Sequence, residues 1–263
     1  MRQFGLIGYP LSHSFSQKFF SEKFLKENIL NAQYDNFPID SIQSFTALWE
    51  QHPSLEGLNV TIPYKKEVIP FLQHRSPVVQ AIKACNCIRK FNNELYGYNT
   101  DVIGFEKSLL PFLQANHTHA LILGTGGASA AVQWVLEKLN IQYQVVSRKA
   151  KNLETNTIKE NTVELNTEMK ASLSYDQLNK SIIESHTLII NTSPVGMYPN
   201  IYEAPPIEYD AITPMHHLYD LVYNPTETLF MQKGLEKRAT VQNGLAMLHI
   251  QAEESWTIWN AKM

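Results

Sequence analysis

Cysteine is scarce in this sequence, which contains only Cys85 and Cys87. The two lie on a predicted strand, two residues apart, so their side chains share one face and are poorly placed for a disulfide. Two cysteines alone are also too few for a structural zinc site. We therefore expect both to be small, reduced core residues of a cytoplasmic protein.

Excess charge and long apolar runs are absent too. The net charge is −3, from 22 basic and 25 acidic residues, which argues against a nucleic-acid partner because such proteins usually carry a basic excess or stripe. No apolar run approaches the ~20 residues that span a bilayer, and no signal peptide is visible at the N-terminus. The nine histidines show no metal-binding spacing, so we expect no metal site.

What is present is an alternation of strand-like and helix-like segments, which predicts an α/β protein. The 263 residues are enough for two modest domains or one large one. The helix after Asp101 would bridge two domains, and the polar stretch 150–180 would form a surface helix and loops. The predicted strands are 3–8, 33–38, 58–62, 84–91, 95–99, 118–123, 141–146, 188–190 and 218–223, and the main predicted helices are 16–30, 128–139, 226–239 and 244–261.

A glycine turn between a predicted strand and helix, Gly124-Thr-Gly126-Gly127, predicts a dinucleotide site. Glycines let the backbone approach a pyrophosphate, and the helix start supplies free N–H groups. Ser129 occupies the third fingerprint position with a small side chain.

The end of the following strand favours NADP over NAD. An NAD site usually has an acidic residue about 20 positions after the first glycine, but this sequence has Ser147-Arg148-Lys149. An arginine there binds a 2′-phosphate and stacks on adenine. The alternative is that Arg148 and Lys149 are ordinary exposed charges.

Lys65 is the candidate for chemistry in the stretch N-V-T-I-P-Y-K-K. If Pro63 begins a helix, Lys65 shares a face with Val68 and Leu72, whereas Lys66 lies nearer the edge. A lysine at a helix start needs a carboxylate partner, since the helix dipole does not favour a cation there. The alternative is a surface lysine whose stem covers apolar residues.

Asp101 is a possible partner for Lys65, because it follows a strand in G-Y-N-T-D. The competing interpretation is that Asp101 caps the next helix, a common role for aspartate. The serines of S-H-S-F-S, at 12–16, similarly look like a capping cluster, and His13 is more often structural than catalytic.

Seven separate motifs nevertheless occur in one order, and together they resemble the shikimate dehydrogenase family from end to end. They are G-Y-P-L-S-H-S-F-S at 8–16, N-V-T-I-P-Y-K at 59–65, G-Y-N-T-D at 97–101, G-T-G-G-A at 124–128, N-T-S-P-V-G-M at 191–197, D-L-V-Y-N-P at 220–225 and N-G-L-A-M-L-H-I-Q-A at 243–252.

The resemblance implies NADP-dependent reduction of 3-dehydroshikimate to shikimate, a step of chorismate and aromatic amino acid biosynthesis. It implies an N-terminal α/β substrate domain, residues 1–101 plus 240–263, and a Rossmann-like NADP-binding domain, residues 102–239, separated by a cleft. The only ligands implied are small molecules, and both a monomer and a homodimer remain open.

The resemblance also implies roles for individual residues. The catalytic pair would be Lys65 and Asp101. The residues implied to bind substrate are Ser14, Ser16, Asn59, Thr61, Asn86, Tyr223 and Gln251. The residues implied to bind the cofactor are Gly124, Gly126, Gly127, Ala128, Ser147, Arg148, Lys149, Met197, Leu221 and Gly244.

The sequence departs from the family pattern in three places. Gln17 stands where a proline is usual, and Cys85 and Cys87 flank Asn86 where an aliphatic residue and a threonine are more common. Ser147-Arg148-Lys149 replaces N-R-T, which leaves the second phosphate contact to Lys149. Two other functions stay open: a dehydrogenase acting on quinate or a related acid, and a non-catalytic dinucleotide-binding regulator.

Overall fold

A computed structural model describes residues 1–11, 15–149, 152–159 and 162–262, with the backbone alone described between 152 and 171. The chain divides into two compact units. Unit 1 comprises residues 1–103 and the C-terminal residues from His249 onward, and unit 2 is the continuous stretch Gly104–Leu248. The sequence analysis placed the two boundaries at 101/102 and 239/240. In the structure they fall at 103/104 and 248/249, within the helices Thr100–Leu109 and Leu245–Asn260.

Unit 1 is built on a six-stranded mixed sheet in the order β2-β1-β3-β5-β6-β4. Strands β1, β2 and β3 run parallel, and β5 and β6 form an antiparallel hairpin that continues the sheet from β3. The strands are β1 (Arg2–Gly8), β2 (Ala32–Pro38), β3 (Leu55–Val60), β4 (His74–Arg75), β5 (Cys87–Phe91) and β6 (Glu94–Tyr98).

Several helices of unit 1 contribute buried aromatic side chains to its core. The helices of this unit are α1 (Phe15–Lys26), α2 (Phe45–Gln51) and α3 (Pro77–Ile82), followed by α4 (Thr100–Leu109), which leads into unit 2. The last helix of the chain, α8 (Leu245–Asn260), brings Trp259 onto Phe4 of β1, with ring centroids 4.8 Å apart. Trp259 Nε1 also donates to Ile88 O at 2.9 Å, so the C-terminal helix completes the core of unit 1.

Unit 2 is a six-stranded parallel sheet in the order β11-β8-β7-β12-β13-β14. Numbered from β7, this is the doubly wound order 3-2-1-4-5-6 of dinucleotide-binding folds, whose direction of winding reverses between the first and fourth strands. Ligands of such sheets bind beyond the carboxyl ends of the strands at that reversal, here between β7 and β12. The strands are β7 (His119–Leu123), β8 (Gln142–Ser147), β11 (Leu173–Ser174), β12 (Leu188–Asn191), β13 (His217–Asp220) and β14 (Thr240–Gln242).

Unit 2 also contains α5 (Gly127–Lys138), α6 (Lys180–Ser185), α7 (Leu229–Glu236) and a separate antiparallel pair, β9 (Asn152–Lys159) and β10 (Thr162–Ala171). The predicted surface helix within 150–180 is therefore largely wrong, since most of this stretch is extended and α6 begins only at Lys180. A polar composition does not distinguish an exposed helix from an exposed hairpin, because neither contributes a regular apolar face.

The predicted helix after Pro63 is also wrong. Residues 62–68 form consecutive turns, followed by a single 3-10 turn at Ile69–Phe71. Tyr64 and Val68 are buried and hold this segment on the core, and Tyr64 Oη donates to Ile39 O at 2.6 Å. The turns have the local spacing of a helix, which explains why apolar periodicity suggested one.

Candidate active site

Lys65 and Asp101 meet in unit 1. Lys65 Nζ donates to Asp101 Oδ2 at 2.7 Å, and the two side chains retain only 19% and 11% of their exposure. The Lys65 carbonyl accepts a hydrogen bond from Cys85 N at 2.7 Å. This bond fixes the Lys65 backbone beside the start of β5, which follows Asn86. Lys66, by contrast, is exposed. Of these adjacent lysines, Lys65 is the one held in a structured polar site.

Asp101 is not the cap of α4. The helix begins at Thr100, and Asn99 Oδ1 accepts from Val102 N at 3.4 Å, which is the contact of a capping side chain. Asn99 Nδ2 also donates to Ala84 O at 2.9 Å. Because Asn99 satisfies the start of the helix, the Asp101 carboxylate in the first turn is left to pair with Lys65.

Four polar residues of unit 1 form a buried hydrogen-bonded network beside this pair. Asn86 Oδ1 accepts from Thr100 N at 2.7 Å, and Asn86 Nδ2 donates to Thr100 Oγ1 at 3.1 Å. Thr100 Oγ1 lies 3.4 Å from Gln251 Oε1. Asn59 joins from β3, since its Nδ2 donates to Asn86 O at 3.3 Å. Three of the predicted substrate residues, Asn59, Asn86 and Gln251, are thus brought together, with Thr100 between the latter two.

Two further members of this network were missed by the sequence analysis. Ser255 is fully buried on α8 and accepts from Asn59 Nδ2 at 2.8 Å. Tyr34 Oη donates to Asn59 Oδ1 at 2.9 Å. Burial raises the pKa of the Tyr34 hydroxyl, and a hydrogen bond from Ser16 partly opposes this. Tyr34 therefore links the predicted substrate residue Ser16 to Asn59.

The remaining predicted substrate residues are placed differently. Thr61 directly follows β3, is partly exposed, and donates its N–H to Ile7 O at 2.9 Å. Ser14 lies outside the described residues. Tyr223 belongs to unit 2, where it follows β13 and is partly buried, and this burial raises the pKa of its hydroxyl.

Cys85 and Cys87 flank Asn86, are both free, and are fully buried, as predicted. Burial raises the pKa of the Cys85 thiol to about 12 and that of Cys87 still higher. Both therefore remain neutral thiols at physiological pH and pack as small core residues.

In unit 2 the glycine turn follows β7 as the fingerprint predicts. Gly124 has φ +121°, a conformation that side chains rarely adopt, and a Cβ there would lie 2.8 Å from Thr192 Oγ1. Gly126 precedes α5, is exposed, and has open space where a Cβ would point. Gly127 and Ala128 form the first turn of α5, whose N–H groups have no partner within the helix. Ser129 is buried behind them, as expected for close helix–strand packing.

The residues after β8 present two cations to solvent. Arg148 and Lys149 are exposed, while Ser147 is buried and donates its hydroxyl to the Lys149 carbonyl. Tyr175 lies close enough to Arg148 for the guanidinium to oppose the rise that burial causes in the pKa of the tyrosine. Tyr175 follows β11, the neighbour of β8, and no local sequence signal identified it.

Three predicted cofactor residues lie after β12, after β13 and before α8. Met197 is 43% exposed in the loop after β12. Leu221 and Gly244 are adjacent, and a Cβ on Gly244 would collide with the Leu221 carbonyl. Gly244 is therefore required for this close backbone approach.

These features define a class of protein: a doubly wound dinucleotide-binding sheet in one unit and a second α/β unit that carries a lysine–carboxylate pair. Comparison with known proteins gives the family. The model of the shikimate dehydrogenase substrate binding domain matches residues 6–88, and curated shikimate dehydrogenases match nearly the whole chain. The chain belongs to the shikimate dehydrogenase family.

Individual relatives match this chain over most of their own lengths. A shikimate dehydrogenase (NADP(+)) of Aquifex aeolicus is 34% identical over 98% of this chain and 90% of its own length. That of Methanosphaera stadtmanae is 31% identical over 98% and 91%. The crystal structure of shikimate dehydrogenase 1 from Peptoclostridium difficile, 34% identical, covers 100% of this chain and 93% of its own, with a TM-score of 0.79.

Within the part of the chain that the structure describes, no helix is both long enough and apolar enough to cross a bilayer.

Proposed function

We propose that the protein is an NADP-dependent shikimate dehydrogenase, which reversibly reduces 3-dehydroshikimate to shikimate. The observation that carries the proposal is the 2.7 Å contact between Lys65 Nζ and Asp101 Oδ2, next to the buried amides of Asn59, Asn86 and Gln251. The named activity of the curated relatives supports it. The step would serve chorismate and aromatic amino acid biosynthesis in the cytoplasm, by a monomer or a homodimer.

Unit 2 fits NADP by its donor groups. Gly124, Gly126, Gly127 and Ala128 would hold the pyrophosphate, since the turn leaves space above Gly126 and offers the N–H groups of α5. Arg148, with Ser147 and Lys149 beside it, would bind the 2′-phosphate. Met197, Leu221 and Gly244 would contact the nicotinamide end. When bound, the cofactor supplies the hydride that the reduction needs.

Lys65 would act on the substrate carbonyl oxygen. During reduction negative charge develops on this oxygen, and an ammonium directed at it stabilises the charge and can deliver a proton. Asp101 keeps the Lys65 side chain in one orientation and would accept a hydrogen bond from a substrate hydroxyl. Hydroxyl and amide side chains would bind the carboxylate and hydroxyls of a cyclic acid. They belong to Ser14, Ser16, Asn59, Thr61, Asn86, Tyr223 and Gln251.

The proposal is tested by purifying the protein and following NADPH absorbance with shikimate, with quinate and with neither. We expect NADP reduction with shikimate, and much slower turnover with quinate or with NAD. Turnover on quinate at an equal rate would favour the related dehydrogenase, and absence of turnover with tight dinucleotide binding would favour the regulator.

Two adjacent lysines provide a matched pair of variants. Lys65→Ala should lower kcat by about 10²–10⁴-fold, the usual contribution of a positioned proton donor, and change substrate KM far less. Lys66→Ala removes an exposed lysine next to it and should retain nearly the parent kcat. Near-normal turnover of Lys65→Ala, or a larger loss in Lys66→Ala, would show that the lysine is assigned incorrectly.

A further inference from the structure

Asp220, at the carboxyl end of β13, is a fully buried carboxylate in unit 2 whose hydrogen-bond donors are all neutral. Its Oδ1 accepts from Asn191 Nδ2 at 2.9 Å and from Val222 N at 3.0 Å. Its Oδ2 accepts from Thr228 Oγ1 at 2.6 Å. Burial of a carboxylate is costly, and it raises the pKa of Asp220 to about 6. Because an apolar side chain could be buried here at lower cost, we expect Asp220 to have a role other than core packing.

Asn191, the first partner, forms side-chain hydrogen bonds that hold the loop after β12. Asn191 and Asp220 are register partners at the ends of adjacent parallel strands. Asn191 Oδ1 accepts from Ser193 N at 3.1 Å and from Ser193 Oγ at 2.6 Å, and Asn191 Nδ2 also lies 3.3 Å from Val195 O. One amide side chain thus connects Asp220 to the turn that leads to Met197.

Val222 and Thr228, the other partners, belong to the segment that follows β13. The bond to Val222 N fixes the backbone at Leu221, whose own N–H donates to Asn191 O at 2.9 Å. Thr228 is the N-cap of α7, where its Oγ1 also accepts from Met231 N at 3.3 Å. Asp220 therefore connects the loop after β12, the segment after β13 and the start of α7.

These connected loops lie in the half of the sheet where the nicotinamide end of a dinucleotide binds. In a doubly wound sheet the two halves each take one mononucleotide across the reversal of strand order. The glycine turn and Arg148 follow β7 and β8 in the first half, whereas Asp220 and Asn191 end strands of the second half.

We propose that Asp220, through Asn191 and Thr228, is a positioning residue for the nicotinamide end of the cofactor. The carboxylate does not touch the cofactor; it fixes the loops that carry Met197 and Leu221. This inference rests on the proposed function, because it takes NADP as the ligand of unit 2.

The test uses calorimetry to compare the binding of the whole cofactor with the binding of its adenosine end alone. NADPH reports on both ends, and adenosine 2′,5′-bisphosphate reports only on the glycine turn and Arg148. Asp220→Asn should raise the Kd for NADPH about tenfold, as expected for loss of hydrogen bonds to a charged group, and change the Kd for the bisphosphate less than about twofold. Tyr219→Phe is the matched control: it removes one buried bond, to Ser108 Oγ at 2.7 Å, from the preceding residue of β13.

An equal loss for both ligands in Asp220→Asn, or no loss for either, would overturn the positioning role. Should Asp220→Asn not accumulate as folded protein, Thr228→Val removes one bond to the carboxylate and should show the same selective loss, which Thr228→Ser should restore. Binding of neither ligand by the parent protein would refute the proposed function instead.

Discussion

Individual residues of unit 1 acquire their roles through partners that are remote in sequence. Asn59 and Ser255 share a 2.8 Å hydrogen bond across 196 positions, and Asn59 and Tyr34 across 25. Such a network is rigid only if every member is satisfied, because an unpaired polar group is costly in a buried site. The loss of one hydroxyl should therefore affect the neighbours that we propose bind the substrate.

Tyr34→Phe tests this coupling. Phenylalanine keeps the stacking on Phe20, whose ring centroid is 4.5 Å away, but Ser16 and Asn59 both lose a partner. We expect KM for shikimate to rise about tenfold with kcat nearly unchanged, and the free energy of unfolding to fall by about 1 kcal/mol. Tyr219→Phe should destabilise similarly while leaving KM unaltered. A fall in kcat with constant KM would contradict the prediction.

Arg148→Ala tests the choice of cofactor. Arg148 is exposed after β8, where a guanidinium can bind a 2′-phosphate by two hydrogen bonds. We expect KM for NADPH to rise about tenfold or more, since hydrogen bonds to charged groups are strong, and KM for NADH to change little. Lys149→Ala, measured alongside, shows whether the neighbouring cation contributes. Equal losses for both cofactors would mean that Arg148 does not distinguish them.

At the scale of elements, the short strand β13 carries ionisable side chains on both of its faces. Its end holds Asp220, while His217 and Tyr219 lie on the opposite face with ring centroids 6.2 Å apart. His217 is fully buried, and among the residues that the structure describes its two ring nitrogens meet no partner at hydrogen-bond geometry. Burial, together with the nearby His117, lowers the pKa of His217 to about 4.

A buried neutral histidine makes unit 2 sensitive to acid. Because its folded pKa lies below the unfolded value of about 6.5, the stabilisation from neutral His217 is complete above that pH and is lost as the pH falls toward 4. Between about pH 7 and pH 4.5, the unfolding free energy of the parent protein should fall by about 2–3 kcal/mol more than that of His217→Phe. Urea unfolding at both pH values measures it, with exposed His249→Phe as the control; parallel profiles of parent and His217→Phe would refute it.

The elements also show what local patterns predict and what they do not. The two strands of the β5–β6 hairpin and the glycine turn were predicted, because strand-like composition and a strand–glycine–helix order are local signals. The turns at 62–68 were mistaken for a helix because the same apolar spacing serves both. Periodicity predicted on which side of its segment Lys65 lies but not which residue it contacts. The pairing with Asp101 was expected mainly from the family resemblance.

At the scale of the whole molecule, the α/β class and the doubly wound sheet follow from the order of strands and helices along the chain. The buried network does not follow from that order. In the sequence, nothing distinguishes Tyr34, Thr100 or Ser255 from an ordinary core or helix residue. Only the folded chain brings them to Asn59, Asn86 and Gln251.

The discontinuity of unit 1 has a consequence for biosynthesis on the ribosome. Residues 104–248 of unit 2 emerge as one uninterrupted stretch and can fold as soon as they leave the exit tunnel. The nascent sheet of β1 to β6, although translated first, must wait for Trp259 to cover Phe4 and for Ser255 to reach Asn59. Until then Trp259 does not cover Phe4, so unit 1, although its sheet is translated first, completes its core last.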